Sequence, residues 1–319
     1  MPSRLVLFVA WLGLVVVPVP TRPHAHGAAT GDHLPVQLTA TPAFLLPPAR
    51  LAGSTRLAAR PPAPSPVATD AVAPAPRLAL LLDDFGHDPA LVRRTLALGV
   101  PVALAFLPYP ARTARGLALA REAGAEVLLH LPMEPEDPAV DPGPLVLRVD
   151  MDAAALRRTV AAALAAVPDA VGVNNHMGSR FTAHRPGMRV LMAELAARGL
   201  FFVDSRTTPH SVAAPLARTF LVPFAVRDVF VDNEATVAAV LARLAEAEET
   251  ARRLGAALAI GHPRPATLAA LERWIPEARR RGVRFVRVAD YLDWHCRVLL
   301  SRPPAACDRR ISGHPPPPG

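Results

Sequence analysis

Between Arg77 and about Asp293, short runs of apolar residues alternate with longer segments whose apolar positions recur every three or four residues. A run that is apolar at every position fits a strand covered on both faces, and a recurrence of three or four fits an amphipathic helix, so the alternation predicts repeated βα units with parallel strands. The predicted strands are Leu78 to Leu82, Val102 to Leu107, Val127 to Leu131, Ala170 to Val173, Leu200 to Val203, Val226 to Val231, Ala256 to Ile260 and Arg284 to Val288. Helices are predicted between them over Arg112 to Ala123, Ala153 to Val167, Pro186 to Arg198, Thr236 to Leu254 and Pro265 to Arg281. Several begin at Pro, Asp or Thr, as helix entries prefer.

The residue after each run carries the chemistry. Asp83 and Asp84 follow the first, His130 closes the third, Asn174, Asn175 and His176 follow the fourth, Asp204 the fifth, Asp232 the sixth and His262 the seventh. In a closed or nearly closed β/α barrel the carboxyl ends of all strands face one cavity, where active sites collect. Asp83-Asp84-Phe85-Gly86 is the most telling of these strand ends. A single Asp would serve as a helix cap ahead of the turn at Gly86, whereas two adjacent carboxylates at the mouth of a buried strand call for a partner or a metal.

Composition narrows the classes. All 35 basic residues are Arg, which excludes Schiff-base lysine chemistry and a P-loop lysine. The net charge of +8 is spread along helices with few aromatics between, a pattern of solvated surface that argues against nucleic-acid binding. At the start, Leu5 to Val19 is almost wholly apolar and follows Arg4, as in a secretory signal, so residues 1–26 read as a signal peptide or, if uncleaved, an N-terminal membrane anchor. Export to the periplasm or cell envelope follows from that reading. Residues 27–76 and 294–319 are rich in proline without hydrophobic periodicity and read as a linker and a tail, leaving 77–293 as the one folded domain. Cys296 and Cys307 are the two cysteines, free to pair in an exported protein or to stay reduced and unrelated.

Five stretches together resemble the divergent branch of the polysaccharide deacetylases: Leu82 to Gly86, Glu126 to Glu134, Gly172 to Ser179, Phe202 to Thr207 and Ala259 to Pro263. The resemblance spans nearly all of Arg77 to Tyr291. It implies a distorted (β/α) barrel of about seven parallel strands and metal-dependent hydrolysis of N-acetyl groups on an exported or cell-envelope polysaccharide, with zinc the expected divalent ion. It further implies Asp83 as the base that takes a proton from the attacking water, Asp84 as a metal ligand, His262 as the acid that protonates the departing nitrogen, and Asp204 as a carboxylate that orients a histidine.

In better-known members the second metal-binding histidine comes from an H-x-x-x-H stretch, and here His130 fills the first position while Glu134 stands at the second. Two sets therefore remain open. Asp84, His130 and His176 form the favoured one, because two imidazoles and a carboxylate with an open position suit catalytic zinc, and Glu134 in place of His176 is the alternative. Asn174, Asn175 and Arg206 are the candidate contacts to sugar, with Arg180 and Arg206 both considered as the Arg that steadies the base. The departure at Glu134 also keeps open a catalytically weak or inactive barrel that binds a glycan or a periplasmic partner, and the same open metal site could attack a different ester.

Overall fold

The computed structural model describes residues 75–299. The leader expected over 1–26, almost all of the linker over 27–76, and the tail beyond 299 with Cys307 lie outside the described residues. Among those described, no helix is long and apolar enough to cross a membrane.

The strands are β1 Arg77–Phe85, β2 Ala103–Phe106, β3 Val127–Met133, β4 Gly172–Met177, β5 Phe201–Asp204, β6 Phe224–Val226, β7 Val229–Phe230, β8 Ala256–Gly261 and β9 Arg284–Val286. The helices are α1 Pro89–Leu96, α2 Thr113–Glu122, α3 Ala153–Ala166, α4 Arg185–Arg198, α5 Ala213–Phe220, α6 Val237–Leu254, α7 Pro265–Arg280 and α8 Val288–Trp294. Helix entries carry side-chain caps: Asp152 accepts from Ala155 N–H and Thr236 from Ala239 N–H, each satisfying an orphan donor of the first turn.

All strand pairs are parallel, in the order β6-β5-β4-β3-β2-β1-β8-β7, with β9 beside the first three residues of β1. The sheet curls into an incompletely closed barrel, since β6 and β7 follow one another in the chain but ladder to opposite ends of the path, on β5 and β8. This corrects the single strand expected over Val226 to Val231. Arg227 and Asp228 interrupt it because their side chains turn to other backbone: the Arg227 guanidinium donates to the Ser205 carbonyl at 2.8 Å, and Asp228 accepts from the Leu258 amide at 2.8 Å. The last expected strand, Arg284 to Val288, is shorter too. Glu126 accepts hydrogen bonds from Val288 N–H and Ala289 N–H at 2.7 and 2.9 Å and so starts α8 where a strand was expected.

Two cores follow from the two-residue period of the strands. Ala79, Leu81, Ala103, Ala105, Leu128, Phe201, Val203, Ala225, Leu258 and Ile260 fill the barrel interior, and α8 closes the end where the strands begin with Val288, Tyr291 and Leu292. The alternate residues, among them Leu78, Leu80, Leu82, Leu104, Leu129 and Val173, meet the surrounding helices. Gly172 belongs to the inner set because Phe201 fills the barrel beside it: a Cβ at Gly172 would stand 2.2 Å from the Phe201 ring.

Candidate metal centre and catalytic rim

The inner columns end in polar residues. Two steps beyond Leu81 stands Asp83, two beyond Leu128 stands His130, and β4 continues inward from Gly172 to Asn174 and His176; His262 follows β8. Strand alternation thus delivers all of these side chains to one rim. Asp84 would face away by the same rule, and a bulge changes that. The β1–β2 register jumps between Leu82↔Leu104 and Phe85↔Phe106, three residues on one strand against two on the other. The extra residue lets Phe85 return to the outer core, where its ring lies 5.5 Å from that of Phe106, and it leaves Asp84 at the rim with a φ of 61°. Asp tolerates this left-handed conformation better than most residues, and bulges recur beside active sites, where they re-aim a side chain.

Three ligand-type atoms converge there. Asp84 Oδ1 lies 3.3 Å from His130 Nε2 and 3.1 Å from His176 Nδ1, and the two imidazole nitrogens are 3.1 Å apart. Asp84 Oδ1 is buried and has no hydrogen-bond partner of acceptable geometry. Ligands 2.0 to 2.1 Å from a tetrahedral ion stand roughly 3.3 Å from one another, so this triangle has the dimensions of one face of such a shell. The donor set fits a divalent cation: one carboxylate, two imidazoles, and a buried oxygen otherwise left without a partner.

The surrounding bonds set the histidine tautomers. His130 Nδ1–H donates to Asn174 Oδ1 at 3.0 Å, which leaves the Nε2 lone pair facing the triangle. The other end of the same amide donates to Asp83 Oδ1 at 2.8 Å and to Ser205 Oγ at 3.2 Å. Burial pushes the Asp83 carboxyl up from its ordinary value, against the pull of His130 and His262. Burial also opposes charge on Asp84, but His130 and His176 win and hold its carboxyl well below the usual range. For His130 burial again opposes charge, yet Asp83 and Asp84 outweigh it and push the ring up to about 8. Two carboxylates that draw a proton so strongly are an environment that also favours a metal cation.

His262 stands across the rim with Nε2 3.5 Å from Asp84 Oδ2. Its other nitrogen, Nδ1, lies 3.1 Å from Asp232 Oδ1, and its backbone N–H donates to Asp232 Oδ2 at 2.8 Å. The fully buried Asp232 also accepts from Thr267 Oγ1 at 2.9 Å. Burial lowers the His262 ring, but Asp232, Asp83 and Asp84 more than reverse this, so the net shift is upward.

Several expected roles do not match this geometry. Glu134 is not in the triangle: Oε2 accepts from Val149 N–H at 2.7 Å and Oε1 from Arg180 Nη1 at 3.0 Å. It ties down the β3–α3 loop and occupies Arg180, which therefore does not steady Asp83. Asp204 orients no histidine, because its oxygens accept from Arg206 N–H at 2.8 Å and Ser211 Oγ at 2.6 Å within its own turn. The role expected of it falls to Asp232, a strand-end carboxylate whose partner lies 30 residues away along the chain. Asn174 and Asn175 are 0% and 1% exposed. Asn175 accepts from Ser205 N–H at 2.8 Å and donates to the Met177 carbonyl at 2.8 Å. Both amides are supports inside the wall, not the open sugar contacts expected. Arg206 is exposed at the rim of a cavity that also includes Arg227.

A barrel with a cation-ready Asp-His-His triangle at the carboxyl ends of its strands, flanked by a raised carboxyl and a carboxylate-oriented imidazole, has the layout of a metal-assisted hydrolase. The chain belongs to the divergent polysaccharide deacetylase family, whose model matches residues 80–292. It is similar to YibQ of Escherichia coli, 36% identical over 202 residues that make up 62% of each chain, and to a Haemophilus influenzae protein, 38% identical over 63% of this chain and 72% of the other. The chain therefore spans less than two thirds of the length of YibQ. The crystal structure of ATU2773 from Agrobacterium tumefaciens superposes with a TM-score of 0.65 at 29% identity, covering 69% of this chain and 90% of that one.

Proposed function

We propose that the protein hydrolyses N-acetyl groups on an exported, cell-envelope polysaccharide, with zinc or a related divalent ion held by Asp84, His130 and His176. The convergence of those three side chains on one triangle carries the reading. A bound divalent ion supplies a Lewis acid for the acetyl carbonyl and makes water a nucleophile near neutral pH.

The remaining roles belong to the chain. Asp83 accepts the proton of the attacking water. Its carboxyl is pushed upward by burial, which brings it closer to the pH at which a general base works well. The Asn174 amide fixes which Asp83 oxygen is occupied, so Oδ2 is the one turned toward the ligand cluster, 3.8 Å from His130 Nε2. His262 donates a proton from Nε2 to the departing nitrogen, and Asp232 on Nδ1 holds the tautomer and stabilises the charged ring. After the bond breaks, the products are acetate and a free amine on the sugar.

The test is acetate release from an N-acetylated glycan by the wild type, by Asp83→Asn and by a chelated sample. Release by the wild type alone is expected. Equal release from all three would end the hydrolase reading.

A further inference from the structure

On the same rim, a cavity of about 280 Å³ is lined by Arg206, Thr207, Thr208, Pro209, Arg227 and Asp228. Resting on the proposed deacetylase reading, we infer that this cavity is a subsite for an oxyanion carried by the glycan, so that the substrate is an acidic N-acetylated polysaccharide whose carboxylate seats between Arg206 and Arg227.

The two guanidinium groups contrast with the arginines of the domain that are held in ion pairs. Arg281 and Arg252 share Glu248, Arg94 pairs with Glu272, and Arg180 pairs with Glu134. Among the described residues neither Arg206 nor Arg227 has a carboxylate within ion-pair distance. The nearby acids are already engaged: Asp204 by Arg206 N–H and Ser211, Asp228 by Leu258 N–H and Tyr291 Oη. Arg227 is half-buried, and burial, with Arg206 and Arg243 close by, disfavours its charge more than Asp204 and Asp83 favour it. Like charges close together, neither in direct contact with a carboxylate, favour an anion between them.

Arg227 is also pre-set. Its Nε donates to the Ser205 carbonyl at 2.8 Å, its Nη2 to the Arg206 carbonyl at 3.2 Å, and its Cζ lies 4.8 Å from the Phe230 ring centre. A guanidinium fixed in this way loses little freedom on binding a planar carboxylate. The cavity is joined to the reacting groups on both sides. Phe230 meets the His262 ring edge-on at 5.5 Å, and Ser205 Oγ accepts from the Asn174 amide that holds Asp83. An anionic sugar bound there lies along the same rim as the bond to be cleaved.

The experiment measures binding and acetate release for an N-acetylated oligosaccharide containing uronic acid and for the same oligosaccharide with its carboxyl groups reduced to alcohols. The acidic form is expected to bind roughly tenfold or more tightly, and Arg206→Glu to bring the ratio of the two near one. Arg227→Gln should act in the same direction, and circular dichroism checks that each variant folds; among the described residues the Arg206 guanidinium makes no hydrogen bond or ion pair, so that variant carries the test if Arg227→Gln does not fold. Equal binding of the two oligosaccharides, binding of neither, or inorganic phosphate alone binding as tightly as the acidic form would overturn the inference. The readouts separate the two proposals. Preferential binding without acetate release would sink only the deacetylase reading, and equal acetate release from both forms would sink only the acidic subsite.

Discussion

Asp232 holds His262 at two points, through the backbone N–H at 2.8 Å and through ring Nδ1 at 3.1 Å, so the Nε2 that faces the reaction is fixed in both direction and tautomer. Asp232→Asn keeps an acceptor for the backbone N–H but removes the charge that stabilises the protonated ring. Acetate release should fall about 10- to 100-fold, with the ion still bound, because Asp232 acts through His262 and touches no ligand. The pH profile of kcat gives the discriminating readout: the limb belonging to the acid should move to lower pH. An unchanged profile would leave Asp232 a structural residue only.

Asn174 joins base and ligand through one amide, bonded to Asp83 at 2.8 Å and to His130 at 3.0 Å. Asn174→Ala leaves a buried carboxyl and a buried imidazole each short of a partner. The cost should be about 1–3 kcal/mol in urea unfolding, together with a drop in ion affinity of roughly tenfold or more. Loss of stability with wild-type ion affinity would detach Asn174 from the metal site.

Gly172 tests the packing that carries His176 to the rim. Gly172→Ala sets a methyl against the Phe201 ring, a clash relieved only by moving β4 or the ring. Overpacking of this kind costs about 1–3 kcal/mol, and the urea midpoint should fall accordingly. The paired change Gly172→Ala with Phe201→Leu should recover part of the loss.

Glu248 predicts a limb of acid sensitivity away from the site. Hydrogen bonds from Arg281, helped by Arg252 and opposed by burial, lower its carboxyl from the ordinary 4.5. A depressed folded-state value means the contribution is complete above the unfolded value and disappears as pH falls through the folded one. The stability difference between wild type and Glu248→Gln should therefore hold steady above about pH 5 and shrink below the ordinary glutamate value. A difference that does not change with acid would refute this pairing.

Most of the barrel was legible because strand and helix have different periods, and the rim was legible because polar residues stop the apolar runs. What the chain hid was partnership. Asp204 and Asp232 both follow predicted strands, and nothing local distinguishes the one that caps its own turn from the one that meets His262. Glu134 sits at a ligand's place in the motif, yet its oxygens go to Val149 and Arg180, contacts set by how the β3–α3 loop folds back. The Asn pair reads as available amide because burial is invisible in a dipeptide. The break at Arg227 and Asp228 was hidden for the same reason, since it depends on Ser205 and Leu258 across the sheet.

The central claim is that Asp84, His130 and His176 grip one ion. Equilibrium dialysis of the purified chain against zinc, followed by elemental analysis, should give one tightly held ion per chain in the wild type, with that ion lost in Asp84→Ala and in His130→Ala and retained in Glu134→Gln. Full zinc occupancy in Asp84→Ala and His130→Ala, or loss of the ion only in Glu134→Gln, would contradict it.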